Sequence, residues 1–545
     1  MKTFRIIAFF VLTMFVIPSF SQERGFYRIY ERDDKSFGPS CAIELSDGSF
    51  IVAANDRSVY NELYNYEIRG ELIKLSAEGE LLRSVPITDA NGYCKIENIY
   101  RHPTEPHKFI GIGFLVDSED LPDVYCTVPY LIQFDEELNI TLQICPEWPE
   151  ELYNYQINAS TLLDHNGKIF GDYLHTEMDG VMIADQRRFY TQMSVDGEID
   201  FMVEDTTDLL PTAGGTEAIF EFPVTGQKGI FRRTNINPGH QRLYRVNKSW
   251  EVEEVNVLYR FAEDTVIQYN SFGLMVYYST SCIYLMDYVK TNVLPLNDTT
   301  LLFSLIGDEH VYECIPSQDT NIFRTESSAV MFKTDIEGNI QQQYCVIGSW
   351  NDTIEAIPKC SFGVTNEDAA GNKYIYHCCE TKEDYLPYDS PNTMTVTKMT
   401  EDFDIVWQKK YAQAGVYMQP RHLLATADGG CFVVGFINRS GQPWDGHHEI
   451  FALKLEPDGT VGTGEIIVTD EMFFYPNPTK DVLHLHYPQE MQPQAIELYD
   501  LQGRLVHTQT TSLESLSMEG LAAGQYVMKV TMEDGKAFTD KVVKE

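Results

Sequence analysis

Between residues 40 and 465 one plan recurs: a turn rich in Asp, Asn or Gly, an apolar strand, a variable excursion, and a second apolar strand ending in another polar turn. The clearest copy runs Asp428-Gly-Gly-Cys-Phe-Val-Val-Gly435, an excursion over 436–449, then Ile450-Phe-Ala-Leu-Lys-Leu-Glu-Pro-Asp-Gly459. Its counterpart near the start is Asp47-Gly-Ser-Phe-Ile-Val-Ala-Ala54, followed by Gly70-Glu-Leu-Ile-Lys-Leu-Ser-Ala-Glu-Gly79. Weaker copies open at Lys108, Asn166, Gly229, Thr300 and Gly371, and several return strands rhyme, as in Leu131-Ile-Gln-Phe-Asp135, Val330-Met-Phe-Lys-Thr-Asp335 and Val396-Thr-Lys-Met-Thr400. No helical period is sustained, so the chain is expected to be all-β. Seven starts, at intervals of about 55 to 75 residues, predict a β-propeller of about seven four-stranded blades, each needing its neighbours to bury both faces. Six or eight blades, or an array of β-sandwiches, fit the same pattern, since no copy carries a Trp-Asp pair or a kelch glycine pair.

At the level of architecture the region over 40–465 is similar to the propeller domains of exported bacterial proteins, and fold alone does not set function. The plan stops near residue 466, and a different unit is expected over 467–545. Tyr475-Pro-Asn-Pro478 carries two prolines that cannot donate to a sheet ladder, so the chain enters this unit as an extended or turning segment. Leu483, Leu485 and Tyr487 then alternate with His484 and His486, the period of a half-buried strand, with the histidines read as its solvated face. The run Leu498-Tyr-Asp-Leu-Gln-Gly-Arg-Leu-Val506 predicts a hairpin turning at Gly503, and Gly524 and Asp534-Gly535 predict two further turns.

Residues 473–545 closely resemble the C-terminal sorting domain of proteins exported by the type IX secretion system of Bacteroidetes-type bacteria. Four motifs in register carry the resemblance: Pro476, Asn477 and Pro478; Leu498, Asp500 and Gly503; Leu521, Gly524 and Tyr526; and Lys541 with Lys544. The resemblance implies an immunoglobulin-like β-sandwich that the outer-membrane export machinery recognises. It also implies a mature protein released or anchored at the cell surface, the tail often being removed.

The opposite end points the same way. Lys2 and Arg5 precede an apolar run from Ile6 to Ile17, and Ser19 and Ser21 sit where a signal peptidase reads, so residues 1–21 are expected to be a signal peptide cleaved after Ser21. That run is shorter than the ~18 residues of a membrane span, and no transmembrane span is expected in the mature chain. A formal charge of −40 repels phosphate backbones and anionic lipid, which argues against nucleic-acid and membrane-surface partners. Eleven cysteines are dispersed with no C-x-x-C pair, so they are read mainly as small buried residues, Cys378 and Cys379 pointing to opposite faces of a strand.

No catalytic residue, metal site or cofactor is assigned. The chain has neither a G-x-S-x-G elbow nor a phosphate-binding G-x-x-x-x-G-K, and His448-Glu-Ile-Phe-Ala452 lacks the second histidine of a zinc-protease helix. The pentapeptide Glu-Leu-Tyr-Asn-Tyr occurs twice, bringing Tyr64 with Tyr66 and Tyr153 with Tyr155, and Trp444 stands in the excursion of the clearest repeat. Such amphipathic rings stack on sugars or peptides when exposed and fill cores when buried. The function expected is an extracellular binding or interaction module for a glycan or protein ligand. The alternative is a glycan hydrolase or lyase on the same scaffold, whose carboxylates would converge on a central funnel.

Overall fold

The computed structural model describes residues 25–544 except 31–36, 61–65, 88–91, 118–125, 148–155, 180–181, 205–215, 223–224, 235–239, 247–251, 260–265, 270–274, 279–282, 286–291, 298, 314–321, 348–353, 384–392, 414–415, 440–447, 463–466, 471–472, 476–478, 480, 488–491, 501 and 534–536. Every regular element among them is a β-strand. The predicted signal peptide lies outside the described residues.

The polar turns have a common construction. The carboxylate of Asp135 accepts from the Glu137 and Asn139 amides at 3.0 and 2.8 Å, and Asp164, Asp335 and Asp368 each make the same pair of bonds two and four residues on. An aspartate that satisfies its own turn in this way reverses the chain wherever it falls between two apolar runs. The fourth turn position takes positive φ and is usually glycine, as at Gly48, Gly338 and Gly459. Leu138 and Phe403 take that conformation too, at φ 61° and 63°, with their side chains buried between sheets. Strain at those two places is offset by burial, and the missing glycine is why their repeats look weak in sequence.

Between residues 26 and 470 the strands form seven antiparallel sheets of four or five strands and one two-stranded hairpin, Val266–Tyr269 with Met275–Tyr278. Sheets 1 to 4 take consecutive strands over 37–86, 92–144, 156–204 and 216–259. Sheet 5 spans 283–347, and sheet 6 spans 354–412. Sheet 7 joins Val416–Ala425, Cys431–Arg439 and Glu449–Leu455 to Phe26–Tyr30 from the start of the described chain, with Tyr27 opposite Leu453. Each of the seven starts read from the sequence opens or shortly precedes the second strand of one sheet, so the inner strand of each unit lies just upstream of its polar turn.

Each sheet packs on the next in order, and sheet 7 packs on both sheet 6 and sheet 1, where Val416–Ala425 lies against Phe37–Glu44. The ring is closed, and the architecture is a β-propeller. Its closing layer holds Phe26, Phe50, Val52, Ile73, Phe432, Val434, Ile450 and Ala452, with the Phe50 and Phe432 rings stacked 3.9 Å apart. The next layer, between sheets 6 and 7, contains Cys378 but not Cys379, in keeping with opposite faces for the two thiols; both are buried.

A second bond type repeats around the ring. One side chain in the third strand of a sheet reaches the last hairpin of the following sheet: Lys74 to Glu137 at 3.0 Å, Gln133 to the Val195 carbonyl at 3.0 Å, Arg245 to the Ile336 carbonyl at 3.0 Å, Lys333 to the Glu401 carbonyl at 2.6 Å, and Lys398 to the Pro457 carbonyl at 2.9 Å. These are the polar residues of the rhyming return strands. A charged donor on a carbonyl stabilises by about 1.5–3 kcal/mol, which applies to Arg245, Lys333 and Lys398; the neutral Gln133 bond contributes less, and the Lys74 pair with the exposed Glu137 carboxylate less again. Between sheets 3 and 4 the tie runs backward, from Lys228 to Asp164 at 2.9 Å.

The strand Ile467–Asp470 adds to the free edge of Ile405–Ala412 in sheet 6, and the last unit follows. There Phe473–Tyr475, Val482–His486 and Ser515–Ser517 form one sheet, and Leu505–Gln509, Pro493–Asp500, Gly524–Met532 and Ala537–Lys544 form another. Both contribute to one core of Leu483, Leu485, Ile496, Leu498, Leu516, Met528, Val530 and Val542, which is the expected sandwich.

Two outcomes follow from this packing. Phe26→Ala, which empties the closing layer, should lower stability by about 3–5 kcal/mol in urea unfolding, and an effect below about 1 kcal/mol would show that the seam does not hold the ring. Hydrogen bonds from Ser49 hold the Asp47 carboxyl below its ordinary range, and those from Asn372 do the same for Asp368. A depressed folded-state pKa contributes stability that is present above the ordinary carboxylate range and is lost as pH falls through the folded value. The urea midpoint should therefore hold above about pH 5 and drop below about pH 4, with a smaller drop in the double variant Asp47→Asn, Asp368→Asn. An equal drop would assign the acid sensitivity elsewhere.

Candidate functional site

In sheet 1 short hairpins over 45–49 and 76–80 join the first strand to the second and the third to the fourth, and sheets 2, 3 and 6 repeat the plan. In sheet 7 the third strand is followed only by the turn over 456–460, because the fourth strand is Phe26–Tyr30, and these turns lie on one rim of the ring. Where sheet 7 meets sheet 1 on that rim, the tie seen at the other junctions is absent. Lys454 occupies the corresponding third-strand place, but its ammonium turns back to Asp428 at 2.8 Å and to the Leu455 carbonyl at 2.9 Å. The hairpin that would have received it contains Ala77, and a cleft of about 330 Å³ opens between the two. Glu44, Leu45, Ser46 and Gly48 line it from sheet 1, Arg101 from sheet 2, Asn366 from sheet 6, and Ala425, Ala427, Asp428 and Lys454 from sheet 7. The seam is tied instead by the Tyr30 hydroxyl, which donates to the Gly79 carbonyl at 2.8 Å.

The charges of the cleft are arranged in two couples. Asp428 accepts from Thr426 Oγ1 at 2.6 Å and from the Gly430 amide at 3.0 Å as well as from Lys454, whose side chain is only 3% exposed. Burial alone would raise the Asp428 carboxyl, but the Lys454 hydrogen bond and charge, with Thr426 and Gly430, hold it below the usual range. Glu44 accepts from the Ala427 amide at 2.8 Å, and burial lifts its carboxyl above the usual range, with the Asp428 charge adding to the rise. Arg101 donates to the Glu44 carbonyl and lies 5.7 Å from the Phe109 ring centre. An exposed guanidinium, a buried ammonium and a half-buried carboxyl therefore share one small space.

None of these residues was singled out by sequence. They come from four sheets, and the only signal available was the lysine that recurs in the return strands at 74, 333, 398 and 454. Of the ligand candidates that sequence did suggest, Tyr64, Tyr153, Tyr155 and Trp444 lie outside the described residues. The Tyr66 backbone pairs with Tyr60 at the strand ends remote from the short hairpins, so the structure does not bring it to the cleft. His448, close to Trp444 in sequence, packs its ring 4.5 Å from that of Phe436.

The last unit is organised around its motifs. Leu498 is in the core, and the predicted hairpin forms with Leu498 opposite His507. Asp500 closes the turn by accepting from the Gln502 and Arg504 amides at 3.0 and 2.9 Å, and Gly503 takes φ 76°. The Tyr526 hydroxyl donates to the Ala522 carbonyl at 2.7 Å, pinning the segment between Leu521 and Gly524. Lys541 pairs with Val527 through the backbone, and Lys544 forms a bridge with Thr479, so the final strand is tied to the residue that follows Pro478 in sequence. Pro476, Asn477 and Pro478 lie outside the described residues. Leu483 and Leu485 are buried and His484 is exposed, as the alternation requires.

Comparison with known proteins separates the two units. No curated protein sequence matches the chain. Among solved structures, an α-L-arabinofuranosidase of Fusarium graminearum in complex with an iminosugar inhibitor is 10% identical over 79% of this chain and 97% of its own, with a TM-score of 0.38. Drosophila Plexin A in complex with Semaphorin 1b is 8% identical over 79% and 86%, with a TM-score of 0.37. Likeness at this level says nothing about ligand or activity. No helix among the described residues is long and apolar enough to cross a membrane. Residues 473–545 match the family model of the secretion system C-terminal sorting domain. The chain therefore ends in a type IX secretion sorting domain, and it is a protein secreted or held at the cell surface.

Proposed function

We propose that the propeller acts outside the cell as a binding module and that the seam cleft seats its ligand, a glycan or a segment of another protein. One observation carries this reading. Of the two carboxyls of the cleft, Asp428 is locked by the fold in two hydrogen bonds and an ion pair with Lys454, and Glu44, bonded to the Ala427 amide, is left with one oxygen to spare and no free carboxyl partner among the described residues of the cleft. A hydrolase needs one carboxyl to donate a proton and a second to attack or activate water, both free to move a proton at the scissile bond. A carboxylate held by Thr426, Gly430 and Lys454 is poorly placed for that work. Groups fixed in this manner suit recognition, where preorganised donors and acceptors limit the entropy lost on binding.

Sorting and binding are assigned to separate units, so they are separable by experiment. Removal of residues 473–545 should leave the protein in the periplasm, seen by fractionation and by surface protease accessibility. Arrival of the truncated chain at the cell surface would refute the role of the tail in this protein.

Binding is tested by affinity electrophoresis of the mature chain against host and dietary polysaccharides and soluble surface proteins, with chain length of each polysaccharide followed in parallel. Retention without shortening is expected. Shortening would establish the hydrolase or lyase alternative. If retention is lost on replacing Tyr64, Tyr66, Tyr153, Tyr155 and Trp444 but survives Arg101→Gln, the ligand binds away from the seam cleft.

A further inference from the structure

We propose that the seam cleft binds an acidic sugar residue: a single uronate-type ring carrying one carboxylate among hydroxyls. This rests on the reading of the propeller as a binding module and names the ligand class of that site.

The cleft stands where the repeated tie is missing, and Lys454, which does not reach the next sheet's hairpin, lines its wall. Lys454 uses two of its three N–H groups, on Asp428 and the Leu455 carbonyl, which leaves one. Arg101 is exposed and makes one bond, to the Glu44 carbonyl, so most of its five donors face outward. Together they form a cationic pair for one carboxylate. The Glu44 carboxyl spends one oxygen on Ala427, leaving the other, with the exposed Asn366 amide and the Ser46 hydroxyl, for ligand hydroxyls.

The alternatives fit less well. Among the described residues no aromatic ring lines the cleft, so a neutral sugar lacks there the stacking face that usually supplies its affinity. A phosphate dianion would bring two negative charges against Glu44 and Asp428 where a carboxylate brings one. The volume of about 330 Å³ is at the small end for ligand sites, and the chain's −40 charge repels a polyanion, so the ligand is one acidic residue or a chain end.

The test is calorimetric titration of the mature chain with D-galacturonate, D-galactose, methyl D-galacturonate and L-alanine. Saturable heat with galacturonate and none with galactose or the ester is expected. Arg101→Gln should weaken that binding by about tenfold or more, and Asn366→Ala, also on an exposed side chain, by several-fold, the latter with unchanged melting temperature. Equal heats for galactose and galacturonate, a preference for alanine, or full affinity in both variants would each overturn the assignment. Absence of galacturonate heat from a chain that still retains a neutral polysaccharide would overturn the ligand class alone. Absence of both would overturn the binding reading with it.

Discussion

The pairing of Phe26–Tyr30 with Glu449–Leu455 is the contact on which the propeller depends. A stack of sheets leaves two terminal faces unburied, and a twisted stack can bury them only on each other. The strand from the start of the chain completes sheet 7 from outside while sheet 1 packs against its face, so one antiparallel ladder joins residues more than four hundred positions apart. Phe26 then sits against Phe50 and Phe432, and a Cβ on Gly79 would fall 2.4 Å from its ring, so glycine is required there for space as well as for its φ of 78°.

Closure also explains the location of the cleft. At the other junctions described, sheets that follow one another in the chain are tied by a third-strand side chain or by Lys228, and the rim is sealed. Sheets 7 and 1 are the pair not joined by continuous chain, and they are held by the added strand, the phenylalanine layer and Tyr30. Lys454 is released from its usual duty and becomes part of a cavity wall. At this seam the polar ties come from Tyr30 and from the Ala427 amide on Glu44, and Lys454 is left to line the cleft.

The sorting domain has a different character. Its core is closed within 473–545, its hairpin is set by Asp500 and Gly503, and the chain leads to it along the edge of sheet 6. Destination therefore resides in a short stretch with local chemistry, whereas recognition is spread over the ring. That is why the tail is identifiable by comparison while the propeller matches no curated sequence.

What could be read without coordinates was local. Aspartate turns with glycine at the fourth place, apolar alternation and the tail motifs act within ten residues, and they suffice for strands, for seven repeat starts and for the sorting domain. The unit frame was offset by one strand, because the inner strand of a sheet is set by packing around the ring axis and has no marker of its own. Leu138 and Phe403 hid two turns, since a buried side chain replaced the expected glycine. The repeated lysines were visible as a rhyme, but their targets were not, because each target lies on another sheet. Asp428 and Lys454 share one repeat, but nothing in the sequence relates them to Glu44 and Arg101; the two pairs meet because closure lays sheet 7 on sheet 1. Composition, turns and destination belonged to the chain alone, and the site belonged to the ring, since only burial of the two end faces could bring its parts together.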